Sequence, residues 1–199
     1  TGKNVVGYIP NATDPGMDDQ DNSQKDKFER DLLFVGRGNK SDDRYSFLEA
    51  ISPELKDHLT FESYGLYGKP CIYGNGYDEL LATSKMALNL NRYEGWPLYS
   101  SDRIAQLMGN GLLTFLWDKG DMRKFFTDEH VAFFKDKDDL VRKAKAFNSD
   151  DALRQSVAAA GRAHYHEHFS GQHVVSFMVE TALGLPYSHD YIWKEAVFR

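Results

Sequence analysis

This sequence has no long apolar run, no excess of basic charge and only one cysteine. No run of about 18 apolar residues occurs, so the sequence predicts no transmembrane helix. The formal net charge is −6 over 199 residues and no basic stripe is visible, which argues against nucleic acid as the main partner. Cys71 is the single cysteine, which excludes an internal disulfide and indicates a reducing compartment.

The first residues and the composition set further bounds. TGKNVVGYIP lacks the apolar core of about 7 to 15 residues that a signal peptide needs. We therefore expect a cytoplasmic protein, with any membrane contact peripheral and at the inner face. The chain begins at Thr1 rather than Met, so we expect a fragment of a longer protein. With 41% hydrophobic residues, it can bury the core of one domain.

Apolar strand-like segments alternate with amphipathic helical segments along the chain. Strands are predicted at 31–36, 59–64, 85–91, 112–116 and 130–134, and helices at 45–51, 77–83, 102–108, 137–147, 150–168 and 170–183. This alternation predicts an α/β fold with a Rossmann-like, doubly wound parallel sheet and helices on both faces. Because 11–29 are polar, we assign 1–30 to a linker, 31–184 to the domain and 185–199 to an aromatic tail.

The chain is organised around the stretch 84–117, which predicts a strand, a loop, a helix, a turn and a strand. In open α/β sheets, ligands bind where such loops leave the carboxyl ends of the strands. Ser101 and Arg103 lie where the helix begins. The positive end of a helix beside an arginine favours a phosphate group.

A second candidate for phosphate binding is the turn after the strand at 31–36. Gly36 and Gly38 allow close backbone approach, and Arg37 and Lys40 add two cations, which together suit a diphosphate. The full dinucleotide fingerprint is absent, because Ser41 stands where its third glycine would be. The alternative is a plain turn with solvated cations.

Three further side chains complete the candidate site. Gln106 lies on the helix of the central stretch and can hydrogen-bond a ribose hydroxyl. Glu94, in the preceding loop, can bind a sugar hydroxyl or act as a base. Tyr73 lies among glycines between two predicted strands and can stack on a nucleobase. The alternatives are a solvated Glu94, a surface Gln106 and a tyrosine used for packing.

The sequence HYHEH, from His164 to His168, matches a zinc-protease pattern. A catalytic zinc needs a third protein ligand, and few carboxylates follow. The apolar periodicity instead places His164 on the packed side of a helix near its end, so we expect no metal there.

Several of these segments, taken together, resemble one family. DRIAQLMGNG, at 102–111, is similar to the R-x-F-E-A-x-A-x-G helix of group 1 glycosyltransferases of the GT-B architecture. LFVGRGNK, at 33–40, resembles the first strand and loop of their donor-binding domain, and YIPNATD, at 8–14, resembles their interdomain linker. The stretch 131–169 is similar to the tail of the family. The order and spacing of the segments resemble most the branch of spore-maturation-protein-like enzymes.

The resemblance implies the C-terminal, donor-binding half of a GT-B glycosyltransferase. Its donor is then a nucleoside-diphosphate sugar, and no metal or other cofactor is expected. The acceptor, a glycan, lipid or protein, stays open. The N-terminal domain is expected to be absent from this chain, and the tail is expected to pack on it.

The same resemblance assigns roles to the candidate residues. Those expected to bind the donor diphosphate are Arg37, Gly38, Lys40, Ser101 and Arg103. Gln106 and Tyr73 are expected to hold the ribose and base, and Glu94 to act at the donor sugar.

Two departures from the family pattern leave an alternative open. Gln106 stands where the family has a glutamate, and Leu98 stands where the first glutamate of its E-x7-E pattern belongs. A catalytically silent module that binds a nucleotide or a protein partner is therefore the second hypothesis. A receiver-like domain fits poorly, because Arg37 and Lys40 stand where receivers carry acidic residues.

Overall fold

The computed structural model describes residues 6–93 and 95–198, and only the backbone of the last two. The strands in these ranges are β1 (Val6–Gly7), β2 (Arg30–Val35), β3 (Phe61–Tyr64), β4 (Ser84–Asn89), β5 (Leu113–Trp117), β6 (Ala132–Phe134) and β7 (Val197–Phe198). The helices are α1 (Asp43–Leu55), α2 (Asn75–Ala82), α3 (Arg103–Gly109), α4 (Lys137–Ser149), α5 (Asp151–His168) and α6 (Gly171–Leu183). Short 3-10 turns lie at Asn22–Gln24 and Met122–Lys124.

Five strands form one parallel sheet in the order β3-β2-β4-β5-β6. Leu33 of β2 pairs with Glu62 of β3 on one side and with Ala87 of β4 on the other. The strand order therefore reverses between β2 and β4, and open α/β sheets bind ligands beyond the carboxyl ends at such a point. The predicted α/β fold with a parallel sheet is confirmed.

Helices cover both faces of this sheet because successive strand residues point to opposite sides. Leu32 and Phe34 of β2 join the core cluster that contains Leu48 of α1 and Leu140 of α4. Leu33, between them, packs with α2 and α3 on the opposite face. The continuous apolar run in β2 is thus explained by burial on both sides.

The segment before β2 is partly exposed, as its polar composition predicts, but several of its polar side chains are buried. These buried side chains hydrogen-bond to one another and to the domain. Thr13 Oγ1 donates to Asp18 Oδ2 at 2.8 Å, and Asn110 Nδ2 donates to Asp18 Oδ1 at 3.1 Å. Asn22, fully buried, donates to the carbonyl groups of Leu81 and Ser84. The domain bounds at 30 and 184 stay a prediction.

The aromatic tail is covered in part by this chain itself. Tyr191 and Trp193 are buried in a cluster with Phe169 at the end of α5 and Phe177 of α6. The backbone then pairs as β7 with β1, antiparallel. These two rings are therefore buried by α5 and α6 of this chain. Contact between the rest of the tail and another domain stays a prediction.

No helix in the described part of the chain combines the length and apolar character needed to cross a bilayer.

Candidate functional site

The main cavity of the candidate site opens at the carboxyl ends of β2, β3 and β4, where the strand order reverses. Its volume is about 270 Å³. Three loops and the first turns of α2 and α3 surround it. Its lining residues are Val35, Gly36, Arg37, Gly65, Cys71, Ile72, Tyr73, Gly74, Tyr77, Asp102, Arg103 and Gln106. Residues distant in the sequence thus meet at the edge predicted for a ligand.

The loops after β2 and β3 pass so close to each other that they require glycine. Gly65 adopts a φ of 78°, and a Cβ there would lie 2.7 Å from the carbonyl oxygen of Gly36. A Cβ at Gly36 would lie 2.8 Å from the Phe34 ring. The predicted close approach at Gly36 is therefore made to the protein's own atoms, and it shapes the cavity wall.

The two cations of the turn after β2 occupy different places. Arg37 lines the cavity, and its exposed guanidinium makes no hydrogen bond or ion pair with the residues that the structure describes. Lys40 is also exposed and lacks such a partner in the same ranges, but neither it nor Gly38 lines this cavity. Arg37 is thus a predicted diphosphate-binding cation that lines the cavity and forms no hydrogen bond or ion pair through its side chain within the described ranges.

Arg103 is held by the protein itself. Its Nη1 donates to the Val35 carbonyl at 2.6 Å, its Nη2 to the Leu90 carbonyl at 2.7 Å and its Nε to Asn89 Oδ1 at 3.1 Å. The side chain is buried and its guanidinium carbon lies 5.1 Å from the Phe34 ring centroid. Arg103 therefore ties the carboxyl ends of β2 and β4 together beneath the cavity. Its predicted contact with a diphosphate stays a prediction.

A polar network that sequence reasoning missed surrounds Arg103. Asn89 Oδ1 accepts from the Ser101 hydroxyl at 3.1 Å, and Asn91 Oδ1 accepts from the Ser101 backbone N–H at 3.1 Å. Ser101 therefore shapes the loop before α3 and does not line the main cavity. The sequence contains a signal for this network, because two asparagines lie at the end of a mostly apolar predicted strand. A polar side chain buried there needs a specific hydrogen-bond partner.

The cavity lining also carries the side chains predicted for the ribose and base. Gln106 lines it and makes no side-chain hydrogen bond within the described ranges. The ring of Tyr73 is 74% exposed at the mouth. A hydrogen bond with Cys71 raises the pKa of its hydroxyl. Tyr77 lies deeper, and burial raises its pKa.

Glu94, the predicted catalytic residue, lies outside the residues that the structure describes. No observation therefore bears on its position, and its role stays a prediction.

The histidines of the zinc-protease pattern pack within the protein. Nε2 of His164 lies 2.8 Å from the Phe125 carbonyl, and its ring stacks on His130 at 4.1 Å. In the described part of the chain, no group of three histidine, cysteine, aspartate or glutamate side chains is arranged to hold a metal ion. The packing role predicted for His164 is confirmed, and a metal-free reaction stays a prediction.

A family model described as glycosyl transferase-like matches residues 44–180. This chain belongs to that family. The match runs from α1 into α6 and so includes all the lining residues of the main cavity except Val35, Gly36 and Arg37. The assignment to the spore-maturation-protein-like branch is finer than this match and stays a prediction.

Solved structures show the same fold in GT-B glycosyltransferases. This chain matches sucrose-phosphate synthase from Thermosynechococcus elongatus with a TM-score of 0.63 and 12% sequence identity. The match covers 88% of this chain and 51% of the synthase chain. It also matches an alpha1,3-fucosyltransferase with a TM-score of 0.57 and 15% sequence identity, and the match covers 89% of this chain and 50% of the fucosyltransferase chain. Anabaena HepE, solved in complex with UDP, matches with a TM-score of 0.61 and 12% sequence identity, and the match covers 89% of this chain and 57% of the HepE chain.

The chain spans about half the length of these structures. No match was found among curated protein sequences. The comparisons thus establish the family and the Rossmann-like fold.

Proposed function

We propose that this chain is the donor-binding domain of a glycosyltransferase and that its main cavity binds a nucleoside-diphosphate sugar. The observation that carries the proposal is the set of groups that line the cavity. Arg37 offers a cation for the diphosphate, Gln106 an amide for the ribose and Tyr73 a ring face for the base. A nucleoside diphosphate presents groups for all three of these chemistries.

The proposed reaction moves a glycosyl group from the donor to an acceptor hydroxyl. The acceptor oxygen forms a bond to the anomeric carbon, and the bond between that carbon and the terminal phosphate oxygen breaks. The nucleoside diphosphate leaves with the electron pair of the broken bond. Arg37, assisted by Lys40 on the same loop, stabilises the charge that develops on it. We assign to Glu94 the contact with the donor sugar and, as general base, the removal of the proton from the acceptor hydroxyl.

The proposed donor is a uridine nucleotide, for which two of the solved relatives supply the reason. Anabaena HepE and the pneumococcal O-GlcNAc transferase GtfA have both been solved with UDP. We further propose that a second domain, comparable to the other half of the matched structures, completes the enzyme. Location in the cytoplasm or at the inner face of the membrane stays a prediction.

A second candidate function is nucleotide binding without transfer. The observation that favours it is Gln106, whose neutral amide stands where the family carries a carboxylate. An amide binds a ribose hydroxyl more weakly than a carboxylate does. Donor binding without turnover, even by a protein with both domains, would decide for this candidate.

Isothermal titration of this chain with UDP, GDP, ADP and CMP tests the proposal. We expect UDP to bind best and Arg37→Ala to weaken its binding about tenfold, a loss of about 1.4 kcal/mol. Arg142→Ala is the matched control, because Arg142 is an exposed cation of α4 that pairs with Asp139. Equal affinity in wild type and Arg37→Ala would remove Arg37 from the site, and the absence of binding to every nucleotide would overturn the proposal.

A further inference from the structure

Asp102 is a carboxylate of the main cavity to which the proposed function assigns no role. It lines the cavity together with Arg103 and Gln106, and its side chain is exposed. Its Oδ1 accepts a hydrogen bond from the backbone N–H of Arg103 at 3.0 Å. Its Oδ2 makes no hydrogen bond or ion pair with the residues that the structure describes. One carboxylate oxygen is therefore available to a ligand in the cavity.

Capping of α3 does not account for this carboxylate. An N-cap residue normally has an extended backbone, and its side chain accepts from an N–H two or three residues further on. Asp136 does so at the beginning of α4, where its Oδ1 accepts from the backbone N–H of Asp139 at 2.9 Å. Asp102 instead has helical backbone angles, with φ −51° and ψ −28°, and accepts from the next residue. Its carboxylate thus lies at the cavity without the geometry of an ordinary helix cap.

Asp102 and Gln106 are four residues apart on one face of the helical segment that begins α3. Side chains at this spacing are neighbours, with Cβ atoms about 5–6 Å apart, and both of these line the main cavity. The two hydroxyl groups of a ribose are neighbours on its ring, so they can bond to both side chains at once. Dinucleotide-binding Rossmann folds also use an acidic side chain to accept from a ribose hydroxyl. The pair therefore suits a ribose.

The hydrogen-bond donors of UDP decide which part of it this carboxylate can bind. An ionised carboxylate only accepts hydrogen bonds, and an ionised diphosphate has no donor to offer it. The donors of UDP are the ribose hydroxyls and the N3–H of uracil. The proposed function places the base at Tyr73 and the ribose at Gln106, which is the neighbour of Asp102 on α3. This placement favours the ribose, and Arg37 in the same lining is left for the diphosphate.

We propose that Asp102 is a further ribose-binding residue, which accepts hydrogen bonds from the ribose hydroxyls beside Gln106. The charge-assisted bond to this carboxylate is stronger than the neutral bond to the Gln106 amide. The carboxylate that the family carries at the position of Gln106 is then supplied one helical turn earlier. The assignment rests on the proposed function and extends it, because it makes the main cavity selective for nucleotides that carry the ribose hydroxyls.

The test is calorimetric titration of the chain with UDP and with 2′,3′-dideoxy-UDP, in EDTA so that no metal bridges the carboxylate and the diphosphate. We expect wild type to bind UDP about tenfold or more tightly than the dideoxy nucleotide. Asp102→Asn should reduce this preference about fivefold, because the amide lacks the charge. The ratio of the two affinities is the readout, since removal of a negative charge near the diphosphate changes both affinities alike. Asp136→Asn, at an exposed capping carboxylate outside the cavity lining, is the matched control and should keep the wild-type ratio.

An unchanged ratio in Asp102→Asn would overturn the inference and leave the proposed function intact, because UDP still binds. If both affinities fell equally, the carboxylate would belong to the base, and if neither changed, it would have no part in nucleotide binding. Wild type without a preference for UDP would overturn the inference as well. Absence of binding to both nucleotides would overturn the proposed function and this inference with it. The asparagine keeps a side-chain oxygen for the Arg103 N–H, so the variant should retain the wild-type thermal midpoint.

Discussion

The sheet uses the same residue types for different purposes at the amino ends of its parallel strands (the amino edge) and at their carboxyl ends (the carboxyl edge). At the amino edge, Arg154 of α5 is fully buried and donates to the carbonyl groups of Asn22 and Lys25. Lys85, also buried, bonds to the Asn148 carbonyl and pairs with Asp151. At the carboxyl edge, Arg37 and Lys119 are exposed beside cavities and lack ion-pair partners among the described residues.

The difference shows how a cation can be assigned without knowing its ligand. A buried guanidinium must satisfy its donors within the protein, because an unpaired buried charge costs several kcal/mol. A guanidinium that remains exposed beside a concave surface keeps its donors for a partner. Arg103 lies between these extremes, since it is buried like Arg154 but lines the main cavity.

Replacing Arg154 should give the largest effect on stability. Arg154→Ala removes the hydrogen bonds to the Asn22 and Lys25 carbonyl groups, the ion pair with Asp151 and a buried side chain, so we expect a loss of about 4 kcal/mol in the free energy of unfolding. Urea denaturation measures it, with Arg142→Ala as an exposed control that should change by less than about 0.5 kcal/mol. A small loss for Arg154→Ala would mean that the amino edge does not depend on this residue.

Arg103→Ala should affect both stability and binding. Loss of its bonds to the Val35 and Leu90 carbonyl groups separates the ends of β2 and β4, at a cost of about 3 kcal/mol. Because those ends shape the main cavity, UDP affinity should fall as well. Titration well below the unfolding midpoint measures this second effect. Full UDP affinity in a destabilised variant would place Arg103 with Arg154 as a purely structural residue.

Acid should destabilise the amino edge through its histidines. Burial, followed by the nearby His130, lowers the pKa of His164 to about 4, and burial also lowers the pKa of His130. An unfolded chain, with histidine pKa values near 6.5, binds more protons in this range. Stability should therefore fall as the pH drops from about 7 to about 4, by about 2 kcal/mol for His164.

Urea denaturation at a series of pH values, for wild type and His164→Gln, measures this dependence. Glutamine keeps an N–H donor for the Phe125 carbonyl but does not titrate. The variant should lose part of the slope between about pH 7 and pH 5. Identical slopes would contradict the assignment to His164.

The smallest effect concerns Gln106, at the carboxyl edge. Gln106→Ala removes the neutral hydrogen bond that we propose to the ribose, so we expect UDP affinity to fall about fivefold, or about 1 kcal/mol. Stability should remain within about 0.5 kcal/mol of wild type, because the side chain has no hydrogen bond to lose within the described ranges. Titration of both proteins with UMP, UDP and uracil locates the effect. The substitution should weaken the binding of UMP and UDP but not that of uracil, because uracil lacks the ribose.

The main strands, the helices and the parallel sheet could be predicted, because apolar periodicity and glycine turns are local signals. The strand register within the sheet could not be predicted, and neither could the burial of several polar residues in the segment before β2. That segment looks like a linker because its polar residues outnumber its apolar ones. Their partners, such as Leu81 for Asn22 and Asn110 for Asp18, lie 59 and 92 residues away.

The sequence by itself determined the fold class, the family segments and the end of the strands at which a ligand is predicted to bind. Only the tertiary structure separated Arg37 from Arg103, although each follows a strand and lies near a predicted loop. The carbonyl groups that occupy Arg103 belong to residues 68 and 13 positions away. Whether a cation serves the fold or a ligand depends on its partners in space, and chain folding alone brings those partners together.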